Sequence, residues 1–121
     1  MESLILEITK EDKSAVKRLL SHYPKMMGTI EALRRKENRT KLEEQTLESW
    51  GRIVNELDSA IKMIEDEETR RIVEHRYIKA KKYKLTVDLF YSENLSERTI
   101  DRRLNAGIES ITEALKRSEV I

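Results

Sequence analysis

The chain of 121 residues has no cysteine, one proline and three glycines, and its only aromatic residues are one Trp, four Tyr and one Phe. Without cysteine there is no disulfide scaffold, zinc ribbon or thiol nucleophile, and the composition fits a reducing compartment. So few glycines and prolines argue against an all-β protein, whose many turns need residues that reach positive φ or preset φ. Two histidines alone make no transition-metal ligand set, and no glycine-rich loop is present to cradle a phosphate. No uninterrupted apolar run exceeds Leu4-Ile5-Leu6, far short of the roughly 18 residues of a membrane span. With Glu2 where a secretion leader carries basic residues, a soluble cytoplasmic protein without membrane contact is expected.

What the chain has in abundance is charge. Asp, Glu, Lys and Arg make up 39% of it, against roughly 25% in an average globular domain. Leu, Ile, Val and Phe still number 31, enough apolar side chain to fold, so an elongated helical protein with a large solvated surface is expected. The net charge of +1 conceals a strong asymmetry. Between Arg70 and Lys84 seven basic residues face the single acid Glu74, directly after the acidic run Glu65-Asp66-Glu67-Glu68.

Apolar spacing gives the elements. Thr9 with Glu11 and Asp12 resembles a helix start, and Val16, Leu19, Tyr23, Met26, Ile30 and Leu33 then share one helical face. Pro24 lies inside this stripe, so the helix either kinks or stops and restarts there; the unbroken phase favours a kink. Residues 36–40 read as a connection, and Leu47, Trp50, Val54, Leu57, Ile61 and Ile64 form a second stripe. Two amphipathic helices with a short connection predict an antiparallel hairpin. Two such stripes exceed what one hairpin need cover, so a homo-oligomer, with a dimer favoured, is expected through this half.

The acidic run then opens a helix over roughly 66–79 with Thr69, Ile72, Val73 and Tyr77 inward. Tyr83, Val87, Phe90 and Tyr91 mark a shorter one ending near Ser92. After Glu93-Asn94-Leu95, Ser96 caps a last helix with Ile100, Leu104, Ile108, Ile111 and Leu115 on one side. Gly107 within it signals close packing or a bend.

Two short helices joined by a tight turn, with Asn94 suited to the left-handed conformation, form a helix-turn-helix pattern. Opposite the apolar side of the last helix stand Arg98, Thr99, Arg102 and Ala106. Arg98 and Arg102 can bond O6 and N7 of guanine, and Thr99 can accept, donate or touch a thymine methyl. Arg103 on the flank, Ser96, and the cluster Lys79, Lys81, Lys82 and Lys84 are candidates for phosphate contact. Carboxylate pairs such as Glu43-Glu44 and Glu67-Glu68 lie on charged faces with no apolar pocket to raise a pKa, so no catalysis and no cofactor are expected.

Glu68-Thr69-Arg70-Arg71-Ile72-Val73-Glu74-His75-Arg76-Tyr77 and Leu95-Ser96-Glu97-Arg98-Thr99-Ile100-Asp101-Arg102-Arg103 resemble the first and the recognition helix of the fourth region of bacterial sigma factors. With an N-terminal helical half containing Tyr23-Pro24, the chain is similar to the ArpU/RinA-type phage transcriptional regulators. Phe90 departs from that pattern where Ala is usual, and Glu93 where an apolar residue is usual. The resemblance implies a DNA-binding activator of phage or prophage late genes, with double-stranded DNA as partner and RNA polymerase as a second partner compatible with it. The expected architecture is all-α, a helical hairpin over 1–64 for association and a three-helix DNA-binding domain over 65–121. The DNA-recognition subunit of a phage packaging terminase and a helical protein-binding adaptor are the alternatives.

Overall fold

The computed structural model describes residues 6–121, so Leu4 and Ile5 of the opening apolar run lie outside the described residues. The chain is all-helical: α1 (Lys10–Arg35), α2 (Lys41–Lys62), α3 (Glu67–Val73), α4 (Tyr83–Ser92) and α5 (Glu97–Arg117), with a π-helical segment, Glu74–Ile78, continuing α3. None of these helices is long and apolar enough to cross a membrane.

The starts follow from capping chemistry. Thr9 and Asp12 exchange hydrogen bonds at the head of α1, as Thr40 and Glu43 do at α2, each pair satisfying two backbone donors that a helix start leaves orphaned. Asp66 caps α3 through the Thr69 N–H (2.9 Å) and Ser96 caps α5 through the Thr99 N–H (3.2 Å). Glu67 and Glu68 occupy the first turn of α3, where the macrodipole favours acids. α4 ends in a Schellman turn, the Leu95 N–H donating to Phe90 O (3.0 Å) and the Asn94 N–H to Tyr91 O (3.0 Å). Asn94 adopts φ 72°, the left-handed conformation its residue type suggested.

Pro24 neither stops nor restarts α1, which runs unbroken from Lys10 to Arg35. A proline in a helix interior costs about 3 kcal/mol. Leu20, Tyr23, Met26 and Ile30, before and after it, are all buried on one face, and that burial holds the phase. The helix expected over roughly 66–79 is present but changes character at Glu74. Its last turn is widened, with the Lys79 N–H reaching back to Glu74 O at 2.9 Å, five residues away.

One apolar cluster runs through the whole chain, joining Val16, Leu20 and Met26 of α1 and Leu57 and Ile61 of α2 to Ile72, Phe90, Ile100, Ile111 and Leu115. α5 packs on α1, α2, α3 and α4. It thereby covers much of the apolar surplus of the first two helices, leaving Leu19, Leu47 and Trp50 partly buried. In α4 the inward ridge is Thr86 and Phe90, while Tyr91, expected inward, is exposed. Tyr91 lies about 100° around the helix from Phe90. Phe90 carries no hydroxyl that burial would leave needing a partner, and it takes the core position.

At Gly107 α5 comes close to α3. A Cβ there would meet Val73 Cγ2 at 2.5 Å and Thr69 Cγ2 at 3.2 Å. Gly107→Ala should therefore destabilise the protein by about 1–3 kcal/mol through overpacking. Gly51→Ala in α2, where the added Cβ meets nothing within 4 Å, should stabilise by about 0.5–1 kcal/mol, because glycine is the poorer helix former. Urea unfolding followed by circular dichroism distinguishes the opposite signs; a loss at both positions would refute the close-approach account of Gly107.

Candidate nucleic-acid interface

The candidate residues are carried by α5, by the turn before it and by the segment joining the π-helical turn to α4. The apolar ridge Ile100, Leu104, Ile108 and Ile111 is buried. Helical periodicity then places Arg98, Thr99, Arg102, Asn105, Ala106 and Glu109 along the opposite, outer face, where they line one shallow depression. Arg98 and Arg102 are exposed and make no hydrogen bond or ion pair among the described residues. Thr99 is half-buried and tied into the cap, its Oγ1 accepting from Ser96 Oγ at 2.9 Å while its own O–H remains to donate.

Two of the expected phosphate contacts are committed elsewhere. The Ser96 hydroxyl accepts from the Thr99 N–H and gives its proton to the Thr99 hydroxyl, so it serves the cap. Arg103 is turned toward the start of α3. Its Nη1 donates to Asp66 at 2.5 Å and its Nε pairs with Glu68 at 3.0 Å without hydrogen-bond alignment. Flanking position alone could not distinguish a guanidinium facing solvent from one facing carboxylates 35 or more residues earlier in the chain.

The lysines lie where the π-helical segment gives way to α4. Lys79 ends the π-helical segment, Ala80 follows in the left-handed region at φ 53°, and Lys81 and Lys82 lead into α4, with Lys84 in its first turn. All four are exposed. The start of α4 has no side-chain cap and no acid in its first turn, whereas the other four helices among the described residues are side-chain capped. Tyr83, between Lys82 and Lys84, donates its hydroxyl to Asp101 on α5, and this bond pushes its pKa up to about 12. That bond brings the lysine segment beside the turn of α5 that carries Arg98 and Arg102.

A charged contact ties α3 to the end of α4. Arg71 of α3 forms a two-pronged pair with Glu93 at the end of α4 (3.0 and 3.1 Å), and its guanidinium sits over the Phe90 ring, 5.3 Å from the centroid. The residues that depart from the usual pattern, Phe90 and Glu93, thus share one partner. Phe90 lies beneath the Arg71 guanidinium, and Glu93 neutralises it. His75 meets Phe90 edge-on and shares a 2.9 Å hydrogen bond with the buried Thr86. Burial first, then Lys79 and Lys81, hold its pKa below the usual histidine value.

Comparison with protein-family models, with curated proteins and with solved structures finds no match for this chain. No group of three or more His, Asp or Glu side chains among the described residues is placed to hold a metal ion. Asn105 and Glu109 are the members of the outer face that the helical-wheel reading stopped short of; carrying the spacing from Arg98 and Arg102 one turn further finds both.

The charged contacts set a pH response. The Thr69 hydroxyl and N–H, and after them Arg103, hold Asp66 below the ordinary carboxylate range, and Arg71 does the same for Glu93. For these acids and for His75 alike the native pKa is depressed. The unfolded chain then binds more protons between the two values, and stability rises with pH there. Stability should fall in two stages on acidification. The first, from His75, should begin below about 6.5, and the second, from the carboxylates, below about 4. Thermal midpoints measured against pH test this: His75→Gln should flatten the first stage and Asp66→Asn the second, and an unchanged profile in both variants would contradict it.

Proposed function

We propose that the protein binds double-stranded DNA sequence-specifically and regulates transcription, in the manner of the ArpU/RinA-type phage regulators it resembles. In this reading α1 and α2 are a helical hairpin. α3, α4 and α5 form a three-helix unit in which α4, the Glu93–Ser96 turn and α5 are a helix-turn-helix with α5 as recognition helix.

The observation that carries the reading is the different treatment of the arginines on α5. Arg103 is held by two carboxylates, while Arg98 and Arg102 stand exposed and without an ion pair among the described residues, with Thr99 on the same face. A helix that buries one full face and keeps two adjacent guanidiniums free at its N-terminal end has the form a major groove accepts. Lys79, Lys81, Lys82 and Lys84 supply cations for phosphates on one side of that helix, and the start of α4, which they flank, has no side chain capping its backbone N–H groups. Ser96 and Arg103 are reassigned from phosphate contact to shaping α5.

Two outcomes test this. Arg102→Ala should cost roughly 1–3 kcal/mol in specific binding and relax preference at one base pair; unchanged specificity in a selection from random duplexes would remove the base-reading role.

Replacing Lys81 and Lys82 together by Ala should instead weaken binding to all sequences alike. The slope of log K against log salt should become shallower by about 0.9 for each phosphate no longer neutralised. A slope identical to that of the parent chain would show that these lysines touch no phosphate.

A further inference from the structure

We infer that Asn105 is a further base-reading residue of α5 and that the base it reads is adenine. The inference rests on the DNA reading proposed above and adds a chemical specificity to it. Asn105 is exposed and lines the same depression as Arg98 and Arg102, three residues after Arg102 and seven after Arg98, which keeps all three on one helical face. At a rise of about 1.5 Å per residue it lies about 4.5 Å beyond Arg102 along the helix, on the scale of one base-pair step.

Asparagine is a poor residue for this position unless its amide does something. In a helix interior it competes with the backbone for hydrogen bonds and is disfavoured relative to Ala, Glu or Lys. Its side chain makes no hydrogen bond among the described residues that would compensate. Other polar positions on α5 have such uses: Asp101 accepts from Tyr83, Arg103 pairs with Asp66 and Glu68, and Glu109 lies within 4.0 Å of Lys13. A carboxamide offers one donor and one acceptor side by side, the complement of adenine N6 and N7, whereas guanine presents two acceptors there. Ala106 beside it leaves room for a base edge, and its methyl suits contact with a thymine methyl. The Glu109 carboxylate, a turn further on, opposes the approach of phosphate and ends the stripe.

The test is selection from a random duplex pool with the whole chain, the Asn105→Ala chain and the Arg102→Ala chain at one salt concentration. The parent chain should enrich a consensus in which Arg102→Ala relaxes one position. Asn105→Ala should relax a different, neighbouring position that is adenine in the parent consensus, lowering discrimination there roughly tenfold. Affinity for unrelated DNA should not change. Because Asn105 is exposed and Ala is the better helix former, the variant should keep or raise the parent thermal midpoint. If Asn105→Ala returns the parent consensus while Arg102→Ala does not, Asn105 reads nothing and the proposed function stands. If the position it relaxes is not adenine, the assignment of the base is overturned. If the parent chain enriches no consensus, both readings fall together.

Discussion

The close approach of α5 to α3 at Gly107 is the constraint on which the remainder of the molecule depends. A helix without a side chain at that point lets Val73 and Thr69 come within contact distance of its backbone. Ile100, Leu104, Ile108, Ile111 and Leu115 can then reach into a core shared with α1 and α2. α5 is consequently the axis of the protein, with every other α-helix resting on some part of its length. Its orientation about its own axis is fixed by that burial, and the orientation decides which residues are left facing outward.

Around the axis, polar contacts fasten α5 at several heights. Lys116 reaches Asp12 at 2.7 Å at the C-terminal end, Arg103 is held by Asp66 and Glu68 in the middle, and Asp101 accepts from Tyr83 near the start. Exposed ion pairs of this kind add little net stability. Their consequence is geometric: they consume side chains that a sequence reading counts as available. Arg103 is the clearest instance, since its neighbours Arg98 and Arg102 have the same chemistry and no such partner. The separation of free from engaged arginines along one helix is what gives the outer face its direction, with cations and an amide toward the N-terminal end and a carboxylate, Glu109, beyond.

The N-terminal half takes on a different meaning in the same light. Its stripes look like a surplus when the two helices are considered as a pair, because a pair can bury only the faces turned toward each other. α5 supplies the missing cover, and Leu20 and Leu57 become fully buried within a single chain. Lengthy α1, kept continuous through Pro24, thereby acts as a brace for α5, with Tyr23 donating to Asp58 of α2 at 2.7 Å on the way. Burial and that acceptor together raise the Tyr23 pKa.

Local chemistry was legible in the sequence. The Thr9 and Ser96 caps, the acid-opened α3, the left-handed Asn94 and the inward positions of α5 follow from interactions within a few residues and from helical periodicity, and the structure has all of them. What only the tertiary structure decided depends on residues far apart in the chain: that α5 packs over the stripes of α1 and α2, that Thr86 rather than Tyr91 turns inward, that Arg103 faces Asp66, and that Phe90 and Glu93 share Arg71. The physical reason is range. Caps and amphipathic faces are fixed by the backbone within one or two turns, whereas the partner of a charged side chain, or the cover of an apolar stripe, is chosen by whichever element the fold brings alongside.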